Sequence, residues 1–156
     1  MKSSEIITPE GNIAQYTIDN NNELNLIFSH ANGFNGRVYN SLLHKINNNY
    51  NIHTYDMRGH GDTTLKANPN NLKSWYSFRD DLLSVIENFK TPVVLSGHSM
   101  GATASLLVAL HKPELVKKLI LIEPVILPLK YIISYRLLQF LKLAHFVSPL
   151  ARNANI

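Results

Sequence analysis

Residues 93–111 read VVLSGHSMGATASLLVALH, and the rest of the chain is best read outward from them. Val93 to Leu95 have the composition of a buried strand, and residues 102–111 that of a helix. Between the two, Gly97-His98-Ser99-Met100-Gly101 puts a serine in a G-x-S-x-G string where strand turns into helix, the context of a nucleophile elbow. A serine on so sharp a bend has strained dihedrals, which are tolerable only if close neighbours lack side chains that would clash. Gly97 and Gly101 meet that condition. The bend lifts the Ser99 hydroxyl to the top of the sheet and sets it at a helix N-terminus, where free N–H groups and partial positive charge favour a developing oxyanion. Ser99 is thus the candidate nucleophile, and the Met100 N–H the first candidate oxyanion donor.

A second donor has to come from the loop after an earlier strand. The apolar run 24–28 leads into His30-Ala31-Asn32-Gly33-Phe34-Asn35-Gly36, at the right place in the chain. Gly33 lets the backbone come close to a substrate, and the Phe34 N–H is the first choice of donor, with Asn32 and Gly33 left open. Losing one such donor typically costs about 10² to 10³ in rate, so this loop matters nearly as much as the serine. After the run 52–55 comes Asp56-Met57-Arg58-Gly59-His60-Gly61-Asp62-Thr63. It lacks the G-x-x-x-x-G-K-S/T spacing of a phosphate loop, which argues against a nucleotide site. Asp56 and Arg58 are expected to pair or cap locally and His60 to be structural, as in other Gly-rich loops beside a site.

The same outward reading gives the fold. Short apolar runs at 24–28, 52–55, 93–95 and 119–122 are what parallel strands buried on both faces require. Segments 38–46, 75–88 and 99–111 between them have room for crossover helices, the last stopped by Pro113. Ahead of them, 5–8 and 12–18 flank Pro9-Glu10-Gly11 and read as an antiparallel hairpin. Asn-rich stretches at 20–22, 47–51 and 68–71 read as turns. The expected class is α/β: a mostly parallel open sheet with an N-terminal antiparallel hairpin and helices on both faces. Residues 1–126 would form its core. Residues 127–156 would follow as a helical segment over 129–146, where Ile133, Leu137, Phe140 and Ala144 fall on one stripe.

Composition narrows the function classes. The chain has 156 residues, 45% apolar, 17% charged and 9% aromatic, which is ordinary globular material. Without cysteine there is no disulfide framework, no thiolate zinc site and no cysteine nucleophile. The net charge of +4 neither clusters in a run nor interleaves with aromatics, so no nucleic-acid partner is expected. No window reaches the 18 uninterrupted apolar residues of a bilayer span. Packing on its own protein is the favoured reading of 129–146, with an interfacial membrane helix as the weaker one. The N-terminal stretch MKSSEIITPEGN has no secretory apolar region, which makes the cytoplasm the default location.

Taken together and in this order, HANGFNG, DMRGHGDT and GHSMGA resemble the α/β-hydrolase superfamily, and LILIEPV at 119–125 resembles its sixth strand. The resemblance implies a Ser–acid–His triad, no cofactor and no metal, and a helical cap inserted after the sixth strand, which fits 129–146. A serine at position 99 speaks against the branches that place an aspartate there. HANGF departs from the commoner HGF form by its extra residues. Family triads run Ser, acid, His along the chain, with the last two on loops after the seventh and eighth strands. Because the sequence stops after the sixth, the chain is expected to be the N-terminal portion of such a protein, with the C-terminal strands missing. Glu123, at the end of the sixth strand, is the weaker candidate for the acid, and His145 a remote one for the base. An uncovered sixth strand would also expose a sheet edge open to self-association. The expected function is that of a serine hydrolase acting on ester, thioester or amide-like acyl bonds of a small substrate through an acyl-enzyme on Ser99. The alternative is a non-catalytic member of the fold that binds a ligand or partner.

Overall fold

The computed structural model describes residues 1–46, 49–68, 72, 74–127 and 133. The chain divides into two compact units, Met1–Val125 and Ile126–Ile156; the helix expected over 129–146 lies almost wholly outside the described residues. The first unit holds one six-stranded mixed sheet in the order β1-β2-β4-β3-β5-β6. Its strands are β1 (Lys2–Thr8), β2 (Gly11–Ile18), β3 (Asn25–Ser29), β4 (Asn51–Tyr55), β5 (Val93–His98) and β6 (Val116–Ile122). β1 and β2 form the expected hairpin, β2 joins β4 antiparallel, and β4, β3, β5 and β6 run parallel.

The apolar runs are continuous because both faces of the sheet are covered. Along β3, Ile27 packs on one face with Leu95 of β5, while Leu26 and Phe28 pack on the other with Val94. Successive side chains of a strand point to opposite faces, so each run feeds two cores. α2 (Tyr76–Ile86) and α3 (Met100–His111) close the first face through Leu82, Val85, Ile86, Ala104 and Val108; Leu43 of α1 (Asn40–Ile46) closes the second. The helix expected over 38–46 begins earlier, as a 3-10 turn Gly36–Tyr39 capped by Asn35, whose side chain accepts from the Arg37 and Val38 N–H groups. Such a cap satisfies donors that the helix itself cannot.

β6 also starts before its apolar run. Val93 pairs with Val116 and Val94 with Lys118, so Lys117 is bulged out of the ladder. Lys117 and Lys118 are exposed, and among the described residues β6 is an edge strand, opposite β1, where charged side chains are tolerated.

A pH dependence follows from His53 on β4. The ring stacks edge-on against Phe89 at 4.8 Å, with Nδ1 3.2 Å from Thr17 Oγ1 and Nε2 3.2 Å from Asn25 Oδ1. Burial pushes its pKa from 6.5 down to about 4, against a smaller opposing pull from Asp19; burial lowers that of His30 as well. Between these values the unfolded chain binds a proton that the folded one refuses, so stability rises with pH across the window. The contribution is complete above 6.5 and is lost as pH falls toward about 4. Thermal melts across that range should show a falling Tm, with a smaller fall in His53→Gln; equal falls in both proteins would contradict the assignment.

Candidate active site

Ser99 is the single residue between the end of β5 and the start of α3. Its φ of 51° and ψ of −113° lie where side-chain-bearing residues are rarely found, and such strain persists only when its surroundings impose it. They do so from three sides. The Ser99 N–H donates to Ile122 O at 2.9 Å, and its carbonyl accepts from the Thr103 N–H at 3.1 Å. Gly97 lies so close to the helix start that a Cβ there would sit 2.5 Å from the Gly101 carbonyl carbon and 2.6 Å from Ala102 N. A Cβ on Gly101 would fall on the Ser29 carbonyl and 2.6 Å from His30 O. The glycines are therefore what allows α3 to abut both its own strand and the end of β3.

The Ser99 side chain is half-buried, and among the described residues its hydroxyl makes no hydrogen bond. Met100 is the first residue of α3, so its N–H has no intrahelical acceptor.

In the loop after β3 the three candidate amides differ. The Phe34 N–H donates to Ala31 O at 3.2 Å, closing a four-residue turn whose third position, Gly33, has φ +78°. A turn of this type requires positive φ there. The Gly33 N–H donates to His60 Nε2 at 3.2 Å. Phe34 and Gly33 thus both have their amides occupied, and among the described residues the Asn32 N–H is the one without an acceptor.

Two histidines hold this loop from beneath. His30 is fully buried, and its Nε2 accepts the Met57 N–H at 2.9 Å while Nδ1 lies 2.7 Å from Ala31 O. One ring nitrogen accepting and the other donating requires a neutral imidazole, in keeping with the downward push of burial on its pKa. His60 stands edge-on to it at 5.1 Å, with Nδ1 2.9 Å from Arg58 O. His60 is structural as expected from the sequence, and its contact is with the loop beside the site.

Asp56 and Arg58 do not pair with each other. Asp56, fully buried, accepts from the Tyr16 hydroxyl, the Gly36 N–H and the Asp62 N–H, each at 2.8 Å. Arg58 reaches the other way, forming two 2.7 Å hydrogen bonds to Asp81 and one of 3.2 Å to Glu10. The sequence hides this because both residues follow the end of β4 and most of their partners, Tyr16, Gly36, Glu10 and Asp81, lie far from them along the chain. A Cβ on Gly61, φ +53°, would collide with the Asp56 carboxylate, which explains that glycine.

Glu123 follows β6 directly, with φ +47° and an exposed side chain. Its carboxylate lies 3.9 Å from His98 Nε2, and no hydrogen bond joins it to Ser99. His98 Nδ1 in turn lies 2.8 Å from the Tyr39 hydroxyl. Tyr39 was not singled out by sequence, where it is only an aromatic residue shortly after a glycine loop. His145 lies outside the described residues. Among the described residues no three His, Asp or Glu side chains gather as a metal-holding group, and no helix is long and apolar enough to cross a membrane.

Comparison with known proteins gives concordant results. Residues 21–156 match the family model described as serine aminopeptidase, S33. The chain is 26% identical over 100 residues to (E)-2-((N-methylformamido)methylene)succinate hydrolase of Acinetobacter baylyi, covering 64% of this chain and 37% of that protein. It is 35% identical over 96 residues to ethanol acetyltransferase 1 of Cyberlindnera fabianii, covering 58% of this chain and 26% of that one. A crystal structure of a hydrolase from Pseudomonas aeruginosa superposes with a TM-score of 0.69 at 21% identity, over 76% of this chain and 44% of that one. The chain therefore spans less than half the length of each of these relatives.

Proposed function

Since the chain belongs to the serine aminopeptidase S33 family of α/β hydrolases, we propose that it carries the nucleophile and oxyanion site of a serine hydrolase that cleaves ester, thioester or amide-like bonds of small acyl substrates. The observation that carries this reading is the strained Ser99 at the β5–α3 bend, with its hydroxyl and the neighbouring Met100 N–H both without a hydrogen-bond partner among the described residues. Strain of this kind costs about 1 to 3 kcal/mol and is kept where function uses it.

In the proposed reaction Ser99 Oγ attacks the acyl carbon, and the carbonyl electrons move onto oxygen. That oxygen is held by the Met100 N–H and by one amide of the Asn32–Phe34 loop, of which the Asn32 N–H has no acceptor among the described residues. The serine proton passes to an imidazole supplied from outside the described residues and then to the leaving group. Water repeats the sequence on the acyl-enzyme and releases the acid. An alcohol in place of water would give acyl transfer, a variant suggested by the likeness to an acetyltransferase. Glu123, held at His98 rather than at Ser99, is assigned no step.

A fluorophosphonate probe tests the reading. The protein expressed from its complete reading frame should be labelled at Ser99, and Ser99→Ala should not be labelled. Equal labelling of the two would remove the serine from the mechanism.

A further inference from the structure

Tyr39 lies in the 3-10 turn that follows the Asn32–Phe34 loop, and its ring is fixed among three others: Phe28 at 4.6 Å, Phe34 at 6.0 Å and His98 at 6.1 Å. Its hydroxyl touches a backbone amide and an imidazole side chain at once. It accepts the Ala31 N–H at 3.2 Å and lies 2.8 Å from His98 Nδ1. With the oxygen accepting from Ala31, the phenolic proton goes to the acceptor within reach, His98 Nδ1. The imidazole then carries its own proton on Nε2, the nitrogen that faces the Glu123 carboxylate at 3.9 Å. The chain Ala31 N–H to Tyr39 O–H to His98 Nδ1 is polarised in one direction, and the 3.9 Å between Nε2 and Glu123 is too long for a hydrogen bond.

The sequence positions of the two ends give this bond its meaning. Ala31 immediately precedes Asn32, and His98 immediately precedes Ser99. The packing of Gly101 on Ser29 and His30 fixes the elbow against the end of β3, but that contact stops at residue 30. Beyond it, among the described residues, the Ala31 N–H is tethered to Tyr39, while the Gly33 N–H and Asn32 Oδ1 both meet His60 Nε2. Of these contacts the Tyr39 tether leads to the elbow; those with His60 lead to the loop after β4.

We propose, resting on the reading of Ser99 as nucleophile, that Tyr39 is a positioning residue whose hydroxyl ties the loop after β3 to His98 and so sets the spacing between the two oxyanion donors. It touches no substrate. It acts in the transition state, because the oxyanion exists only there, so its loss should appear in kcat and not in KM.

Tyr39→Phe tests this, since it deletes the tether and keeps the ring contacts. With 4-nitrophenyl acetate as substrate, kcat should fall about 10-fold, a fraction of what losing a whole donor costs, with KM within about twofold. The second-order rate of fluorophosphonate labelling should fall by the same factor. Independently of turnover, nitrogen NMR of the wild-type protein should find His98 protonated on Nε2 with Nδ1 as acceptor, and Tyr39→Phe should lose that preference. Wild-type rates in Tyr39→Phe, a change confined to KM, or a wild-type His98 protonated on Nδ1 would each overturn the proposal. A wild type that does not label at Ser99 overturns instead the reading on which it rests, and the NMR result tells the two failures apart.

Discussion

Ser99→Ala is expected to lower hydrolysis of an activated ester by about 10⁴-fold or more, leaving only what binding and oxyanion stabilisation supply without a nucleophile. Folding should survive the change, because alanine presents a Cβ no larger than that of serine, and the removed hydroxyl has no hydrogen-bond partner among the described residues. The informative companion is Ser99→Gly. At φ 51° and ψ −113° glycine relieves a conformational penalty that any side chain incurs, roughly 1 to 3 kcal/mol, so this variant should melt at a higher temperature than the wild type while being equally inactive. A stability gain coupled to loss of activity is the signature of strain retained for chemistry. If Ser99→Ala kept a tenth or more of wild-type kcat/KM, the nucleophile would have to be sought elsewhere.

The second large effect belongs to Gly101. An added methyl would meet the Ser29 and His30 carbonyl oxygens, both of them backbone, which cannot swing aside as the end of a long side chain can. Either α3 withdraws from β3 or the end of β3 yields. Gly101→Ala should therefore cost about 3 kcal/mol or more, at the upper end of overpacking effects. It should also reduce turnover more than about 10²-fold, because the Met100 N–H moves with the helix start. Gly33→Ala is the contrast: a Cβ there meets nothing within 4 Å, and the cost is confined to its φ of +78°, about 1 kcal/mol. Urea denaturation of the two variants would compare these costs directly, and a Gly101→Ala protein as stable as Gly33→Ala would contradict the packing argument.

Much of this architecture was legible in the sequence because local signals and tertiary need coincide. The runs at 24–28, 52–55 and 93–95 are unbroken because each strand is buried twice, and GHSMG carries its own glycines because the helix abuts two strands. Where the two diverge, the sequence is quiet. Lys117 and Lys118 hide the start of β6, since an outer strand with a bulge has no reason to be apolar. The polar first half of β1, Lys2 to Glu5, is exposed on an edge and carries no alternation. The partners of Asp56 lie at Tyr16, Gly36 and Asp62, and the Tyr39–His98 bond spans 59 positions; no spacing rule reaches so far. The loop after β3 stands out in the sequence by its glycines, but which of its amides lacks an acceptor among the described residues depends on a turn set by one glycine and one distant histidine.

The central claim is a geometric one: an acyl or phosphoryl centre bonded to Ser99 Oγ must place its oxygen between two main-chain amides. A crystal structure of the protein after reaction with a fluorophosphonate tests it most directly. Phosphorus should be bonded to Ser99 Oγ, with the phosphoryl oxygen at about 3 Å from the Met100 nitrogen and from one nitrogen of residues 32–34. An adduct on another residue, or a phosphoryl oxygen directed away from Met100, would contradict it.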